Sequence, residues 1–389
     1  MRRLEVCPNA AARAIRIFRA LAENDPSPPR ASMPRLPPRE MQTASQRLHS
    51  IAGSAQVAAV SGGAAEEFEM KVLVTGPTGA VGQYVLEALM RTDHDVRVFT
   101  LPDSMHRINY RDRIEMVPGD LADRDALDEA LDGIELVFHT ALISPPPAID
   151  PDMLEHVNAR GTRNLVKACR GAVSRFVMVS SNNVYVPHRM PNLWPLTDDA
   201  QREAHGNPSQ QALGESLIRA EDAVFEAAET GAFDFAMLRP SIISGRKSPF
   251  VDNLVTQLIR NPEAADGLRR MWDTMQWTHG TDIGTAALLA ADHPDLRNQS
   301  ILVAGEEPIT AYDVLSLMWE IMNVGREDNP YAELAARHNV GVPKFYPAKL
   351  RAAGWRPRMT AKNCIQEILG RLEFYASTSV NFPAYMPVE

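Results

Sequence analysis

The chain has 389 residues, of which 45% are apolar and 23% are charged. This composition excludes an intrinsically disordered protein and leaves room for about two to three domains. The 40 basic and 49 acidic residues give a net charge of −9, which argues against nucleic acid or an anionic membrane as a partner, because clustered cations bind phosphates. No apolar run reaches the roughly 18–20 residues of a membrane-spanning helix. The three cysteines form no CxxC motif and HExxH is absent, so we expect a reducing, cytoplasmic location and no metal site.

Residues 1–69 differ from the rest of the chain. They are rich in Ala, Arg, Pro and Ser, and Pro and Arg cluster between Pro26 and Arg39. The segment lacks the apolar stretch of a secretory signal. We interpret it as a disordered extension or as translation from a start codon upstream of a natural start at Met70. An organelle transit peptide is the alternative, since the segment is rich in Arg and poor in acids.

From Met70 onward, short apolar segments alternate with segments of helical periodicity. The predicted strands are Lys71–Thr75, Val96–Thr100, Ile114–Val117, Leu136–Thr140 and Phe176–Ser180. The predicted helices are Val81–Arg91, Asp123–Leu131, Met153–Arg170 and Pro208–Glu229. Strands separated by helices indicate βαβ units and a parallel sheet, so the predicted fold class is α/β with a doubly wound parallel sheet.

The pattern weakens after Leu238. We predict loops around Gly245–Phe250 and Asn261–Gly267, a further strand at Ser300–Val303 and a helical C-terminal part. This indicates a nucleotide-binding domain over residues 70–244, to which residues 280–305 return. Residues 245–279 and 306–389 would then form a smaller, mostly helical cap that binds the substrate.

The strongest motif lies between the first strand and the first helix. It reads Thr75-Gly76-Pro77-Thr78-Gly79-Ala80-Val81-Gly82. Gly76 would make the tight turn, Gly79 would let the backbone approach a pyrophosphate, and Gly82 would let the helix pack close to the strand. The helix N-terminus would offer free N–H groups to the phosphates. The strand–loop–helix context separates this motif from an ordinary glycine-rich turn and predicts dinucleotide binding.

Further motifs follow the predicted strands. They are Gly119-Asp120-Leu121, Val137-Phe138-His139-Thr140-Ala141, Asn158-Ala159-Arg160-Gly161-Thr162, Ser180-Ser181-Asn182-Asn183-Val184-Tyr185, Leu238-Arg239-Pro240 and Gly354-Trp355-Arg356-Pro357. Together with the glycine loop, they make the chain from Met70 to about Leu372 resemble the extended short-chain dehydrogenase/reductases, also called the NAD-dependent epimerase/dehydratase family. The combination of motifs is specific to that superfamily but does not identify a substrate.

The resemblance implies a Rossmann fold, a homodimer and a set of residues around NAD or NADP. Asp120 and Leu121 would lie against the adenine, Pro240 to Ile242 would border the nicotinamide, and Ser181 would be the active-site hydroxyl. The residues expected at the cofactor are Gly76, Thr78, Gly79, Ala80, Val81, Gly82, Thr100, Asp120, Leu121, Thr140, Ala141, Leu142, Asn158, Ser180, Gln211, Pro240 and Ile242.

Several of these residues have a plainer interpretation. Asp120 or Asp123 could cap the next helix, and Asn158 and Thr162 could pack between helices. We favour function for Asp120 and Ser181. His139 lies in an apolar strand and is expected to be a core histidine with satisfied hydrogen bonds, and Asp282 is expected to cap a helix.

The choice between NAD and NADP is open in the sequence. An acidic residue at the end of the second strand usually binds the ribose of NAD, and a nearby Arg accommodates the 2′-phosphate of NADP. Thr100 stands at that position, while Asp103, His106 and Arg107 follow closely. We lean towards NADP because this position holds no acidic side chain, which would repel a 2′-phosphate.

The family's catalytic pair, Tyr-x-x-x-Lys, is missing. There is no lysine between Lys167 and Lys247, and alignment on Glu215 places Asn207 and Gln211 at the two positions. Their amides do not titrate near neutral pH, and the sequence from Asn207 to Gln210 also predicts a helix N-cap. The catalytic candidates are therefore Ser181, Tyr185, Asn207 and Gln211.

Three residues could replace the lost acid, namely Tyr185, His205 and Glu203, but for each of them we favour the alternative of a solvent-exposed loop residue. Trp277, Thr278 and His279 could edge the substrate pocket. We expect an NAD(P)-dependent oxidoreductase or epimerase/dehydratase-like enzyme with an altered proton relay, acting on a small alcohol, carbonyl or sugar-type substrate. The alternatives are a cofactor-binding sensor or scaffold, and a lyase or isomerase that uses bound cofactor transiently.

Overall fold

A computed structural model describes residues 70–144, 150–169, 171, 173–185, 195–204, 206–271, 274–322, 329–338 and 344–378. The predicted N-terminal extension and His205 lie outside these residues. Within the described ranges, no helix combines the length and the apolar character needed to cross a membrane.

The central element is a seven-stranded parallel sheet with the strand order β3-β2-β1-β4-β5-β6-β9. Its strands are β1 (Lys71–Thr75), β2 (Asp95–Thr100), β3 (Glu115–Pro118), β4 (Leu136–His139), β5 (Arg175–Val179), β6 (Asp234–Pro240) and β9 (Gln299–Val303). The predicted doubly wound sheet is confirmed, and the bounds of every predicted strand agree to within one residue. The strand order reverses between β1 and β4, and a crevice for ligands forms at such a point, at the carboxyl ends of the strands.

Twelve α-helices lie in the described part of the chain. They are α1 (Gly82–Leu89), α2 (Arg124–Leu131), α3 (Pro151–Leu154), α4 (Thr162–Ala168), α5 (Pro208–Glu229), α6 (Pro249–Arg260), α7 (Ala264–Met271), α8 (Gly280–Asp292), α9 (Ala311–Met322), α10 (Ala332–His338), α11 (Ala348–Ala352) and α12 (Ala361–Thr378). Short 3₁₀ helices occur at Pro102–Arg107, Asn182–Val184 and Pro294–Leu296.

The predicted helix Met153–Arg170 is not a uniform α-helix. A π-helical segment, Glu155–Gly161, separates α3 from α4, and such segments often occur at functional sites. The two predicted loops were partly wrong. Pro249 occupies the first turn of α6, where proline is favoured because its missing N–H costs nothing, and the second loop contains the start of α7 at Ala264.

A second, three-stranded sheet was not predicted. It consists of β7 (Ile242–Ser244), β8 (Met275–His279) and β10 (Pro308–Ile309), with β8 parallel to β7 and antiparallel to β10. All five residues of β8 are buried, although Met275, Gln276, Trp277 and Thr278 alternate between apolar and polar side chains as in a half-buried strand. The C-terminal region is otherwise mostly helical, as predicted. The proposed domain boundaries stay a prediction.

Apolar side chains cover both faces of the large sheet. One cluster joins the sheet to α1 and α8 through residues such as Val85 and Ala287. The opposite cluster joins it to α2, α4 and α5 through residues such as Leu127 and Val224. The strands are thus buried on both sides, which explains their continuous apolar runs. The carboxyl ends of β1, β4 and β5 lie at one edge of the sheet, where a ligand site is expected.

Candidate functional site

The loop between β1 and α1 is shaped by its glycines. Gly76 has φ +67°, and a Cβ there would lie 2.6 Å from the Cα of Ala141. A Cβ on Gly82 would lie 2.1 Å from the Gly76 carbonyl oxygen and 2.5 Å from Thr140 Oγ1. At Gly79 the nearest atom to such a Cβ would be 3.3 Å away. Gly76 and Gly82 are therefore required by contacts near the loop, whereas Gly79 keeps the outer surface of the loop free of a side chain.

The N-terminus of α1 has no side-chain cap. Its N-cap residue is Val81, which makes no side-chain hydrogen bond. In contrast, Asp123 caps α2, Asn207 caps α5 and His279 caps α8. The first N–H groups of a helix have no partner within the helix. At α1 the N–H groups of Tyr84 and Val85 donate to the Val81 carbonyl at 2.8 and 3.2 Å, which leaves those of Gly82 and Gln83 to bind an anion that lies on Gly79. This arrangement fits the diphosphate of a dinucleotide.

The segment after β4 forms one wall of the crevice. Thr140 Oγ1 donates to the carbonyl oxygens of Thr75 and Gly76 at 2.7 and 3.3 Å. The fully buried Asn158 accepts from the Ile143 N–H at 2.8 Å and donates to the Ile143 carbonyl and to Ser216 Oγ. Both side chains therefore shape the 140–143 segment, next to the half-buried Ala141 and Leu142. Their contacts with a cofactor stay a prediction.

At the other side of the loop lie the ends of β2 and β3. Thr100 is buried, and its carbonyl accepts from the Gly119 N–H at 2.9 Å. Asp120 is exposed and accepts from the Ala122 N–H at 2.8 Å, while Leu121 packs into the core. Of the two residues that could cap the next helix, Asp123 and not Asp120 is the N-cap of α2. Asp120 faces solvent at the edge where the adenine is expected.

Two serines follow β5. The Ser180 hydroxyl is buried and has no hydrogen-bond partner among the described residues. Ser181 Oγ accepts from the Asn183 N–H at 3.2 Å and from Asn183 Nδ2 at 2.8 Å. The Ser181 hydroxyl itself donates to Asn182 Oδ1 over a long distance of 3.4 Å. A hydroxyl that accepts two hydrogen bonds and donates a long one retains a proton for a substrate oxygen.

Tyr185 is a buried residue, and the expectation of a loop residue was wrong in this respect. Its hydroxyl accepts from Arg239 Nη1 at 2.7 Å, and Arg239 also pairs with the buried Glu221 at 2.7 Å. Burial raises the pKa of Tyr185, although Arg239 opposes the shift. The phenol is therefore held neutral within a buried ion-pair network. Its catalytic role stays a prediction, which these contacts do not favour.

The positions of the missing catalytic pair lie at the start of α5. Asn207 Oδ1 accepts from the Gln210 N–H at 3.0 Å, and Gln210 Oε1 accepts from the Asn207 N–H at 3.2 Å. The predicted N-cap is thus confirmed as a reciprocal capping box. Gln211 Nε2 donates to Glu215 Oε1 at 2.9 Å. Both amides are exposed and have partners on their own helix, so their catalytic and ribose contacts stay predictions.

α5 lies close to the serine segment. A Cβ on Gly214 would lie 2.5 Å from the Asn183 carbonyl oxygen. The Glu203 N–H donates to the Val184 carbonyl at 2.8 Å. Glu203, one of the three candidates for the missing acid, therefore lies beside the segment that carries Ser181. His205 lies outside the described residues.

His139 is a core histidine, as expected. It is completely buried, and hydrogen bonds join its two ring nitrogens to Thr75 Oγ1 at 2.7 Å and to Thr162 Oγ1 at 2.8 Å. Burial lowers its pKa to about 3, so the ring is neutral at physiological pH. The expectation for Asp282 was wrong, because His279 caps α8. Asp282 instead accepts from the N–H groups of Arg358 and Met359 at 2.9 and 3.0 Å.

The end of β6 carries the residues expected near the nicotinamide. Pro240 is buried and Ile242 is half-buried. Between them, Ser241 Oγ and Thr278 Oγ1 are 2.6 Å apart, so this hydrogen bond links the two sheets. Trp277 belongs to a separate apolar cluster that also contains residues of α6, α9 and α12. Trp277, Thr278 and His279 are all buried, and their place at the edge of a substrate pocket stays a prediction.

The sequence predicts a loop around Gly245–Phe250, but the contacts of this turn with the phosphate loop and α1 were not predicted. Lys247 Nζ donates to the Thr78 carbonyl at 2.6 Å, and Tyr84 Oη accepts from the Arg246 N–H at 2.7 Å. No local motif marks these residues, because 169 positions separate Lys247 from Thr78. Only knowledge of how β7 is placed could have found them. In the described part of the chain, no cluster of His, Cys, Asp and Glu is arranged to hold a metal ion.

Comparison with known proteins gives matches over the same region. The family model of the NAD dependent epimerase/dehydratase family matches residues 72–305. An L-arabinose 1-dehydrogenase (NAD(P)(+)) of Haloferax volcanii is 38% identical over 128 residues, which are 33% of this chain and 46% of that protein. The chain spans between 46% and 67% of the length of the curated relatives considered.

Solved structures share the fold. A short-chain dehydrogenase/reductase superfamily protein from Agrobacterium tumefaciens with bound NAD has a TM-score of 0.56 and 24% identity, covering 79% of this chain and 97% of that one. The yeast methylglyoxal/isovaleraldehyde reductase complexed with NADPH has a TM-score of 0.62 and 20% identity, covering 79% and 99%. The family match covers more than half of the chain and includes the glycine loop and the serine segment. The chain therefore belongs to the NAD-dependent epimerase/dehydratase family.

Proposed function

We propose that the chain binds NAD or NADP on the Gly76–Gly82 loop and acts as an NAD(P)-dependent oxidoreductase or epimerase/dehydratase-like enzyme. Its substrate would be a small alcohol, a carbonyl compound or a sugar-type molecule. The observation that carries the proposal is the uncapped N-terminus of α1 beside the open surface of Gly79. The names of the relatives support it, since one is an NAD(P)(+)-dependent dehydrogenase and two solved structures hold NAD or NADPH.

The chain's own residues would divide the work as follows. The N–H groups at the start of α1 would bind the diphosphate, and the 140–143 segment, fixed by Asn158, would form the wall beside it. The Ser181 hydroxyl would donate a hydrogen bond to the substrate oxygen and so orient the substrate. The nicotinamide would supply the hydride acceptor or donor when bound.

The proton relay would differ from that of the family. Hydride transfer to a carbonyl requires a proton for the developing alkoxide, and general acid catalysis contributes about 10²–10⁴-fold. The amides of Asn207 and Gln211 cannot supply that proton. We therefore expect slow turnover, with the proton delivered by Glu203, by His205 or by water that Ser181 orients.

A second candidate is a cofactor-binding sensor or scaffold that has lost its chemistry. The capping box of Asn207 favours it, because the side chain at the tyrosine position stabilises the helix instead. The buried contacts of Tyr185 favour it as well. Both candidates require the phosphate loop, and they differ only in turnover.

One set of measurements tests both candidates. Purified protein is titrated with NADH and NADPH by fluorescence, and cofactor absorbance is then followed with a panel of alcohols, aldehydes and sugars. Turnover supports the enzyme, and binding without turnover over the panel supports the sensor. Binding of neither nucleotide overturns both. The double variant Asn207→Tyr, Gln211→Lys should raise turnover if only the relay is missing, whereas Gln211→Lys alone should not.

A further inference from the structure

The turn that connects β7 to α6 lies against the phosphate loop from outside the large sheet. Two hydrogen bonds fix this turn on α1, since Tyr84 Oη accepts from the Arg246 N–H at 2.7 Å and Gln83 Nε2 donates to the Arg246 carbonyl at 3.0 Å. The next residue, Lys247, donates from Nζ to the Thr78 carbonyl at 2.6 Å. An ammonium group is therefore held on the loop whose neighbouring N–H groups are free for an anion.

The backbone at Lys247 is unusual for a residue with a side chain. Its φ is +60°, in the left-handed region that few residues other than glycine, asparagine and aspartate adopt. Such conformations persist where the surrounding structure holds them, and they concentrate at functional sites. Here the left-handed turn directs an exposed lysine back to the phosphate loop.

The charges near Lys247 have the same sign as its own. Burial lowers the pKa of the Lys247 ammonium group, and the charges of Arg107, at the end of the 3₁₀ helix after β2, and of Arg246 lower it further. Arg246 is neutralised by Glu87 at 2.5 Å. The repulsion between Lys247 and Arg107 would be relieved by a ligand with several negative charges.

We propose that Lys247, with Arg107 beside it, binds a phosphate group of the dinucleotide from outside the large sheet. The inference rests on the proposed cofactor binding and assigns a role to a turn far away in sequence. Two phosphates could take this place, namely the diphosphate on the loop and the 2′-phosphate of NADP. The position of Arg107 after β2, on the adenosine side, makes the 2′-phosphate the expected one.

The test is the affinity of purified variants for NADH and NADPH, measured by fluorescence titration at several salt concentrations. Lys247→Gln should lower the affinity for NADPH by about tenfold or more, as expected for the loss of a hydrogen bond to a charged group. The affinity of this variant should also depend less on the salt concentration. Lys247→Arg should retain most of the affinity. Lys362→Gln, which removes the same charge from a surface ion pair with Glu320, is the matched control.

The outcomes separate the two phosphates and the two proposals. Loss of NADPH affinity with NADH unchanged supports the 2′-phosphate, and an equal loss for both supports the diphosphate. Lys247→Asn keeps a residue that tolerates positive φ, so an equal loss in that variant shows that charge and not folding is responsible. If Lys247→Gln binds both nucleotides as the unaltered protein does, the role of Lys247 is wrong and the proposed function stands. If the unaltered protein binds neither, both fall.

Discussion

Two helix N-termini of this molecule use the same backbone groups in opposite ways. At α5, Asn207 and Gln210 cap each other, and the helix satisfies its own N–H groups. At α1, the cap residue Val81 offers no side-chain partner, so the N–H groups of Gly82 and Gln83 are left for a ligand. The first helix end is closed by the protein, and the second is open to a ligand. Free donors, and not the presence of polar residues, therefore distinguish the proposed phosphate site from the helix end that carries Asn207 and Gln211.

The same difference extends to the side chains of the two regions. Among the predicted catalytic residues, Tyr185 is held by Arg239, and Gln211 is held by Glu215. Ser181 is the exception, because its proton has only the long contact with Asn182. Near the phosphate loop, by contrast, the Lys247 ammonium group donates to a carbonyl oxygen and repels its cationic neighbours Arg107 and Arg246. The four predictions below test whether the closed groups are structural and the open groups bind.

The largest effect is expected from Gly82→Ala. The added Cβ would lie 2.1 Å from the Gly76 carbonyl oxygen and 2.5 Å from Thr140 Oγ1, so the loop must move. We expect a loss of about 1–3 kcal/mol in the free energy of unfolding and loss of measurable nucleotide binding. Thermal unfolding and NADPH titration measure the two effects.

Gly267→Ala is the matched control for this change. Gly267 also lies in a helix, and a Cβ there would meet nothing within 4 Å. This variant should be as stable as the unaltered protein or more stable by up to about 1 kcal/mol, with unchanged binding. Normal nucleotide affinity in Gly82→Ala would contradict the open end of α1 as the phosphate site.

The glycine loop could be predicted from the sequence because its chemistry is local. Strand, glycines and helix follow one another within the motif, and each part has a period or spacing that can be recognised. His139 was equally predictable, because an apolar strand surrounds it. These are features whose partners lie nearby along the chain or in the same sheet.

The remaining features depend on contacts between distant segments. The burial of Tyr185 requires Arg239, 54 residues away, and the contact of Lys247 with Thr78 spans 169 residues. The second sheet was missed because β7 and β10 have only three and two residues. Asp282 was mistaken for a cap because its partners, the N–H groups of Arg358 and Met359, lie 76 and 77 residues further on. Such pairings are fixed by topology, which local patterns do not contain.

A second prediction concerns the ion pairs that hold the turn behind the phosphate loop. Asp252 accepts from Arg371 Nη2 at 2.5 Å, and Arg371 also donates to the Gly245 carbonyl at 3.4 Å. Burial raises the pKa of Asp252 from 3.8 to about 6, although Arg371 opposes the shift. Between these pH values the folded state binds more protons than the unfolded state. The contribution of Asp252 to stability is therefore present below about pH 4 and is lost as pH rises through 6.

Asp252→Asn removes this dependence and keeps a group that accepts from Arg371. As pH rises from 4 to 7, the unaltered protein should lose about 1–3 kcal/mol relative to the variant. Denaturant unfolding of both proteins at several pH values measures the difference. A constant difference over this range would show that Asp252 is ionised in both states and that the turn is held by an ordinary ion pair.

Tyr185→Phe should produce an effect of similar or smaller size on stability alone. The variant leaves Arg239 Nη1 without its phenol partner in a buried place, which costs about 1–3 kcal/mol. Nucleotide affinity and the pH profile of any turnover should not change. Tyr346→Phe, at a residue that is 42% exposed, is the control and should be neutral. A fall in turnover of about 100-fold in Tyr185→Phe, with the stability unchanged, would instead make Tyr185 the replacement acid.

The smallest effect is expected from Asn207→Ala. If the side chain only caps α5, its loss costs about 0.5–2 kcal/mol, and Asp123→Ala, at the cap of α2, should cost about as much. Neither variant should alter nucleotide affinity or turnover, because the Asn207 amide and the Asp123 carboxylate each cap their own helix. If Asn207→Ala lowers turnover while Asp123→Ala does not, the side chain at the tyrosine position reaches the substrate in spite of the capping box. The end of α5 would then be open as well, and the contrast with α1 would be one of degree, since a capping hydrogen bond worth about 1 kcal/mol is weak enough for a bound substrate to displace.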